Sequence, residues 1–167
     1  MRILVAGIGN IFMGDDAFGC AVAGNLSRRA LPEGVRVTDF GIRSSDLAYA
    51  MMDSYDAVIM IDAIPHGEPA GTVFLIDGDE EELQDFAPAD PDGRSANPRA
   101  ALRLVHELGG EPRHLYVVGC EPAVVEAEEI GLSDPVSAAV PGAVAVVEGL
   151  IEELLENPPA RDIIELN

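Results

Sequence analysis

The opening stretch constrains the fold of this chain more than any other. Met1 to Gly19 reads MRILVAGIGNIFMGDDAFG: an apolar run over 3–6, a loop with glycines at 7, 9 and 14, then a helix that opens on Asp15 and Asp16. A buried strand that feeds a glycine-rich loop and a helix starts an open α/β sheet, and ligands of such sheets sit outside the carboxyl ends of the strands. The first candidate site therefore lies in this loop, and it carries two adjacent acids. Those acids argue against a phosphate cradle, which presents bare backbone N–H groups to an anion. Gly7-Ile8-Gly9 supplies only the first two glycines of G-x-G-x-x-G, Phe12 holds the third place, and no Lys follows Gly14. A carboxylate at a helix N-terminus satisfies free N–H groups and suits the helix dipole. One acid suffices for that, so the other is free to face the crevice, where a hard cation or a proton-transfer step can use it.

The remaining pattern extends the sheet. A helix is expected over 16–29, with Phe18, Ala21, Val22, Leu26 and Ala30 at helical spacing. A second strand over 35–39 leads to Gly41-Ile42-Arg43, and Ser44 or Ser45 caps a helix running to 52. A strongly apolar strand over 57–61 stops at Asp62, and a strand over 72–76 follows so soon that it runs antiparallel. Residues 77–98 are rich in acids, Pro and Gly and lack periodicity, which marks a long functional or mobile loop. Asn97-Pro98 starts a helix to 108, a last strand covers 115–119, and residues 126–131 are irregular. Ser133 caps a final helix with Pro135 in its first turn and Pro141 as a place for a kink. Val136, Val140, Val144, Val147, Ile151 and Leu154 form its buried face. This order implies an α/β fold, a three-layer αβα sandwich around a mostly parallel sheet. Residues 1–157 are expected to make a single αβα domain, with 158–167 a loosely held tail.

Charge narrows the partners. Thirty acidic residues against ten basic ones give a net charge of −20 in a chain of 167 residues. Nucleic acid and anionic membrane surfaces are poor partners for such a surface, whereas a basic protein segment or a metal ion is electrostatically easier. The N-terminus has no apolar core long enough for a signal sequence, and no stretch reaches the ~18 apolar residues that span a bilayer. A cytoplasmic, monomeric protein is the reading. Cys20 and Cys120 form neither a disulfide framework nor a C-x-x-C site.

Asp62 is the leading candidate beyond the opening. It ends an apolar strand on the carboxyl edge of the sheet, where strand 1 also ends and Asp16 follows. Two carboxylates from separate crossovers thereby converge on one crevice; the plain alternative is an acid that caps the loop after it. His106 and His114 lack metal-like spacing with other ligands. Cys120 sits at a strand end, but nothing in the sequence points a base at it, so it reads as a small buried residue, as does Cys20. No G-x-S-x-G is present.

The run Gly7-Ile8-Gly9-Asn10, Gly14-Asp15-Asp16 and Phe18-Gly19 resembles the opening motif of the hydrogenase maturation proteases. Asp62-Ala63, the stretch 69–73, the Asn97-Pro98 helix start, Gly119-Cys120-Glu121-Pro122 and Leu132-Ser133 extend the resemblance over nearly the whole chain. The resemblance implies a five-stranded twisted sheet and an endopeptidase that trims the C-terminus of the nickel-loaded large-subunit precursor of a nickel-iron hydrogenase. It implies catalytic and metal-binding roles for Asp16 and Asp62, with nickel supplied by the precursor or another divalent ion in its place. Gly41, Arg94 and Glu121 are the expected substrate-binding residues. In relatives of this acidic type the third ligand is a His in H-[GS]-M-[ND]-P, and this chain has Arg94-Ser95-Ala96-Asn97-Pro98. Arg does not deprotonate to bind a metal. Either Arg94 supplies the positive charge itself, or His66 supplies the imidazole; a solvated turn is the simpler reading of His66. Two rival readings are a non-catalytic assembly protein of the same fold and a small-ligand-binding α/β protein.

Overall fold

In the first strand, β1 (Ile3–Ile8), every residue is buried, and alternation decides which of two cores each side chain joins. Ile3 and Val5 face one cluster; Leu4, Ala6 and Ile8 face the other. A strand buried on both faces belongs at the centre of a parallel sheet covered by helices. The computed structural model describes residues 1–78, 96–123 and 128–160 and places β1 there.

From β1 the chain enters a 3₁₀ turn (Gly14–Ala17) and α1 (Phe18–Leu26), then β2 (Val35–Gly41), α2 (Ser44–Met51), β3 (Ala57–Ala63) and β4 (Val73–Asp77). After the long connection come α3 (Pro98–Glu107), β5 (His114–Cys120) and α4 (Asp134–Glu156). The five strands run in the order β2-β1-β3-β5-β4. All pairs are parallel except β4 with β5, where Val73 opposes Cys120 and Asp77 opposes Tyr116. Helices α1 and α4 pack one face, with Phe18, Val22, Leu26, Val136, Val140 and Val147 in that core. Helices α2 and α3 cover the other, with Leu47, Met51, Ala101 and Val105. The three-layer αβα reading is thus the observed architecture.

Several local expectations are corrected. The first helix does not start at Asp16 or reach 29, because a 3₁₀ turn occupies Gly14–Ala17 and α1 spans Phe18–Leu26. Neither Ser44 nor Ser45 caps α2: both lie inside it, and Arg43 holds the cap position without a side-chain bond. Asn97 does cap α3, accepting the Ala100 N–H at 2.8 Å with Pro98 in the first turn. Ser133 precedes α4 but its hydroxyl does not cap it, and α4 runs through Pro141 as one helix. Arg94 and most of the 77–98 loop lie outside the described residues, as do 126–127 and 161–167 of the expected tail.

The carboxyl edge of the sheet is closed unusually tightly. A Cβ on Gly19 would collide with the carbonyl oxygens of Ile8 and Ile61. The start of α1 therefore sits directly on the ends of β1 and β3, which holds the preceding turn over both strands.

Candidate active site

β1 is flanked by β2 on one side and β3 on the other, and the helices that follow β1 and β2 cover opposite faces. That is the reversal point at which an open α/β sheet leaves a crevice. Two carboxylates stand there. Asp62 is the penultimate residue of β3, beside Gly119 of β5, and only 3% exposed. Its Oδ1 is buried with no hydrogen-bond partner. Asp16 comes from the 3₁₀ turn, and its Oδ2 accepts the Asn10 N–H at 2.7 Å.

The turn is shaped by backbone contacts that need glycine. Gly9 has φ +139°, and a Cβ there would run into the Asp16 carbonyl oxygen. The Gly9 N–H donates to Gly41 O at 3.1 Å, which joins this loop to the end of β2. The Asn10 side chain accepts the Phe12 N–H at 2.9 Å. Gly41, expected to bind substrate, has φ +56° and faces Gly9 across that junction.

The electrostatics follow from burial and like charge. Burial raises the Asp16 carboxyl, with the Asn10 N–H working against it. Asp62 is driven well above the ordinary carboxylate value, first by burial and then by the charge of Asp16, with the Ala63 N–H opposing. Burial and the neighbouring charge of Asp16 both favour the protonated form of Asp62. Cys20, read from sequence as core, is indeed buried, yet it borders this pair. Its Sγ lies 3.5 Å from Gly9 O, and burial together with Asp39, Asp16 and Asp62 pushes the thiol up to about 12. It is a neutral thiol, not a nucleophile. Cys120 is likewise raised to about 11, by burial and by Asp15 and Glu121.

Asp15 does something the sequence did not suggest. It is 1% exposed. Its carboxylate accepts the Ser133 N–H at 2.7 Å, the Ser133 hydroxyl at 2.9 Å and the Ala123 N–H at 2.8 Å. It ties the 3₁₀ turn to the loop after β5 and to the start of α4. The Gly14 N–H adds a bond to Glu129 O at 2.7 Å. Glu121 performs a parallel task on the other side of β5. It is 8% exposed, and its Oε2 accepts the His66 N–H at 2.6 Å. Its backbone pairs with Gly71 and Thr72. The structure thus commits one Glu121 oxygen to the β3–β4 loop, where sequence reasoning expected substrate contact. His66 is exposed and stacks at 5.1 Å on Phe74. Among the described residues no group of three or more His, Cys, Asp or Glu side chains is placed to hold a metal ion. His106 is exposed on α3, and His114 opens β5.

A family model described as hydrogenase maturation protease matches residues 20–150. The chain belongs to that family. It is 34% identical to the hydrogenase 2 maturation protease of Escherichia coli K12 over 167 residues, covering 98% of this chain and 99% of that protein. A putative hydrogenase maturation protease of Methanocaldococcus jannaschii is 32% identical over 154 residues, 90% of this chain and 97% of that protein. Among solved structures, the E. coli hydrogenase maturating endopeptidase HybD superposes with a TM-score of 0.76 at 30% identity, over 92% of this chain and 93% of that one. The HybD maturation protease of Thermococcus kodakarensis gives a TM-score of 0.68 at 26% identity, over 90% and 99%. As a hydrogenase maturation protease, the chain carries one acid in the turn after its first strand and the other near the end of its third. The Asp15 and Glu121 ties were invisible to sequence reasoning because their partners lie 108, 118 and 55 residues away.

Proposed function

We propose that this protein is the endopeptidase that removes the C-terminal extension of the nickel-loaded large subunit of a nickel-iron hydrogenase. The single observation that carries the reading is the carboxylate pair at the crevice, one member of which has a buried oxygen without a partner. In a member of this family, that pair supplies the acid–base and cation-binding groups which peptide hydrolysis at a loaded metal centre requires. Burial and the neighbouring acid favour the protonated form of Asp62. A divalent ion brought by the precursor would displace that proton, since a cation inverts the local balance that favoured the neutral acid. Asp16, from the turn after β1, and Asp62, from β3, would then face the ion, and cleavage would follow only where the metal is seated. Carboxylate oxygens suit a hard or borderline divalent ion. Arg94, at the family's His position, would supply a fixed positive charge.

The test is incubation with a nickel-loaded precursor and mass spectrometry of the product. Wild type is expected to release one C-terminal peptide, and Asp16→Asn and Asp62→Asn to lose roughly 10²-fold or more in rate. Stable precursor binding with no cut in wild type would overturn the protease reading and leave an assembly role. Arg94→His run beside it shows whether a third imidazole ligand raises the rate.

A further inference from the structure

Four large apolar side chains stand exposed around the mouth of the crevice. Ile11 is 51% exposed, Phe12 62%, Ile42 60% and Ile130 83%. Apolar residues scattered singly over a surface need no explanation. These are not scattered, because they sit on three loops that hydrogen bonds stitch into one rim. Gly9 N–H to Gly41 O at 3.1 Å joins the loop of Ile11 and Phe12 to that of Ile42. Gly14 N–H to Glu129 O at 2.7 Å joins it to the segment of Ile130. The same loop delivers Asp16, four positions after Phe12.

We propose that this apolar rim is the docking surface for the C-terminal extension of the precursor, so that cleavage depends on apolar residues flanking the bond that is cut. The proposal rests on the protease reading above. Charge selects the occupant. A second copy of this chain would bring a net charge of −20, and the same crevice acids, against its own. Anionic membranes and nucleic acid are repelled for the same reason. A polypeptide bearing apolar residues is neither repelled nor indifferent, because removing each large side chain from water favours association. Geometry agrees. An extended chain advances about 3.3 Å per residue. Phe12 stands four positions before Asp16 on the same loop, so a chain held at Asp16 runs past the rim. The acids would therefore cut, and the rim would register the chain.

The experiment measures cleavage kinetics of the nickel-loaded precursor with wild type, the double variant Phe12→Ser/Ile42→Ser, Ile130→Ser, and Tyr49→Ser as an exposed control on α2. These side chains are at the surface, so folding is preserved, and a melting curve verifies it. The double variant is expected to raise KM about tenfold or more while kcat stays within roughly twofold, the signature of lost uniform binding. Ile130→Ser is expected to raise KM severalfold and Tyr49→Ser to leave it unchanged. A precursor whose apolar residues beside the cut are replaced by Ser should show the same KM penalty with wild type. Unchanged KM in the rim variants, with wild type still cutting, overturns the docking surface and leaves the protease reading standing. Failure of wild type to cut a precursor that it binds overturns that reading instead. A sedimentation dimer of wild type that Phe12→Ser/Ile42→Ser disperses also overturns the proposal, because the rim would then serve self-association.

Discussion

Asp15 and Asp62 are both almost wholly buried, and they differ in what surrounds the carboxylate. Asp15 has at least three donors, whereas Asp62 has one oxygen with none and a second acid nearby. The raised Asp62 carboxyl makes stability depend on pH. Between the ordinary value of 3.8 and its own higher one, the folded chain holds a proton that the unfolded chain has released. This contribution is complete below 3.8 and is lost as pH rises through the folded value. Asp62→Asn, which needs no proton, is expected to melt above wild type at pH 8 by at least about 1 kcal/mol, or roughly 2–4 °C. The difference should close toward pH 4. Scanning calorimetry across that range checks the prediction, and a gap that widens on acidification would contradict it. Asp62 itself was legible because an apolar run stops at it. The division of labour between Asp15 and Asp16 was not, since both sit in one short polar motif and only the fold decides which one turns inward.

Individual elements show what periodicity can and cannot reveal. β1 and β3 announced themselves as apolar runs and start where expected, with β1 extended to Ile8 and β3 to Ala63. The antiparallel β4 followed from its short connection to β3. The 3₁₀ turn was hidden, because Gly14-Asp15-Asp16 reads equally well as the start of an α-helix. Ser133 was hidden for the opposite reason: it has a strong capping signature, yet Asp15 captures both its N–H and its hydroxyl. This exchange makes Asp15 the joint between the turn, the β5 exit and α4. Removing the carboxylate in Asp15→Ala would leave buried N–H groups of Ala123 and Ser133 without partners, at a cost of about 1–3 kcal/mol each. A loss of roughly 2–5 kcal/mol in urea titration is expected, with cleavage weakened because Asp16 rides on the same turn. Asp15→Asn, which keeps one acceptor oxygen, should recover part of both. A variant as stable as wild type would refute this role.

The molecule taken together carries a net charge of −20. A charge of that size acts on encounter more than on the final fit. The association rate with a precursor whose docking segment is basic is therefore expected to fall by roughly tenfold between about 0.05 and 0.5 M salt, while the dissociation rate changes little because the rim is apolar. Stopped-flow binding at graded ionic strength measures both. A dissociation rate that climbs with salt would show charge, rather than apolar contact, holding the complex.

The strand order β2-β1-β3-β5-β4 also bears on when the protein becomes competent during synthesis. β3 and β4 are neighbours in sequence but not in the sheet, because β5 lies between them. The ribosome has made both before β5 exists. Until residues 114–120 emerge, Asp62 lacks the wall that shields it, and Glu121 is not there to clasp the loop at His66. Pairing between strands so far apart in the chain forms late. The nascent chain therefore passes through a stage in which its acids are present but exposed to water and ordinarily ionised. The last strand inserted dries the crevice, and proteolytic capacity arrives with completion of the fold rather than ahead of it.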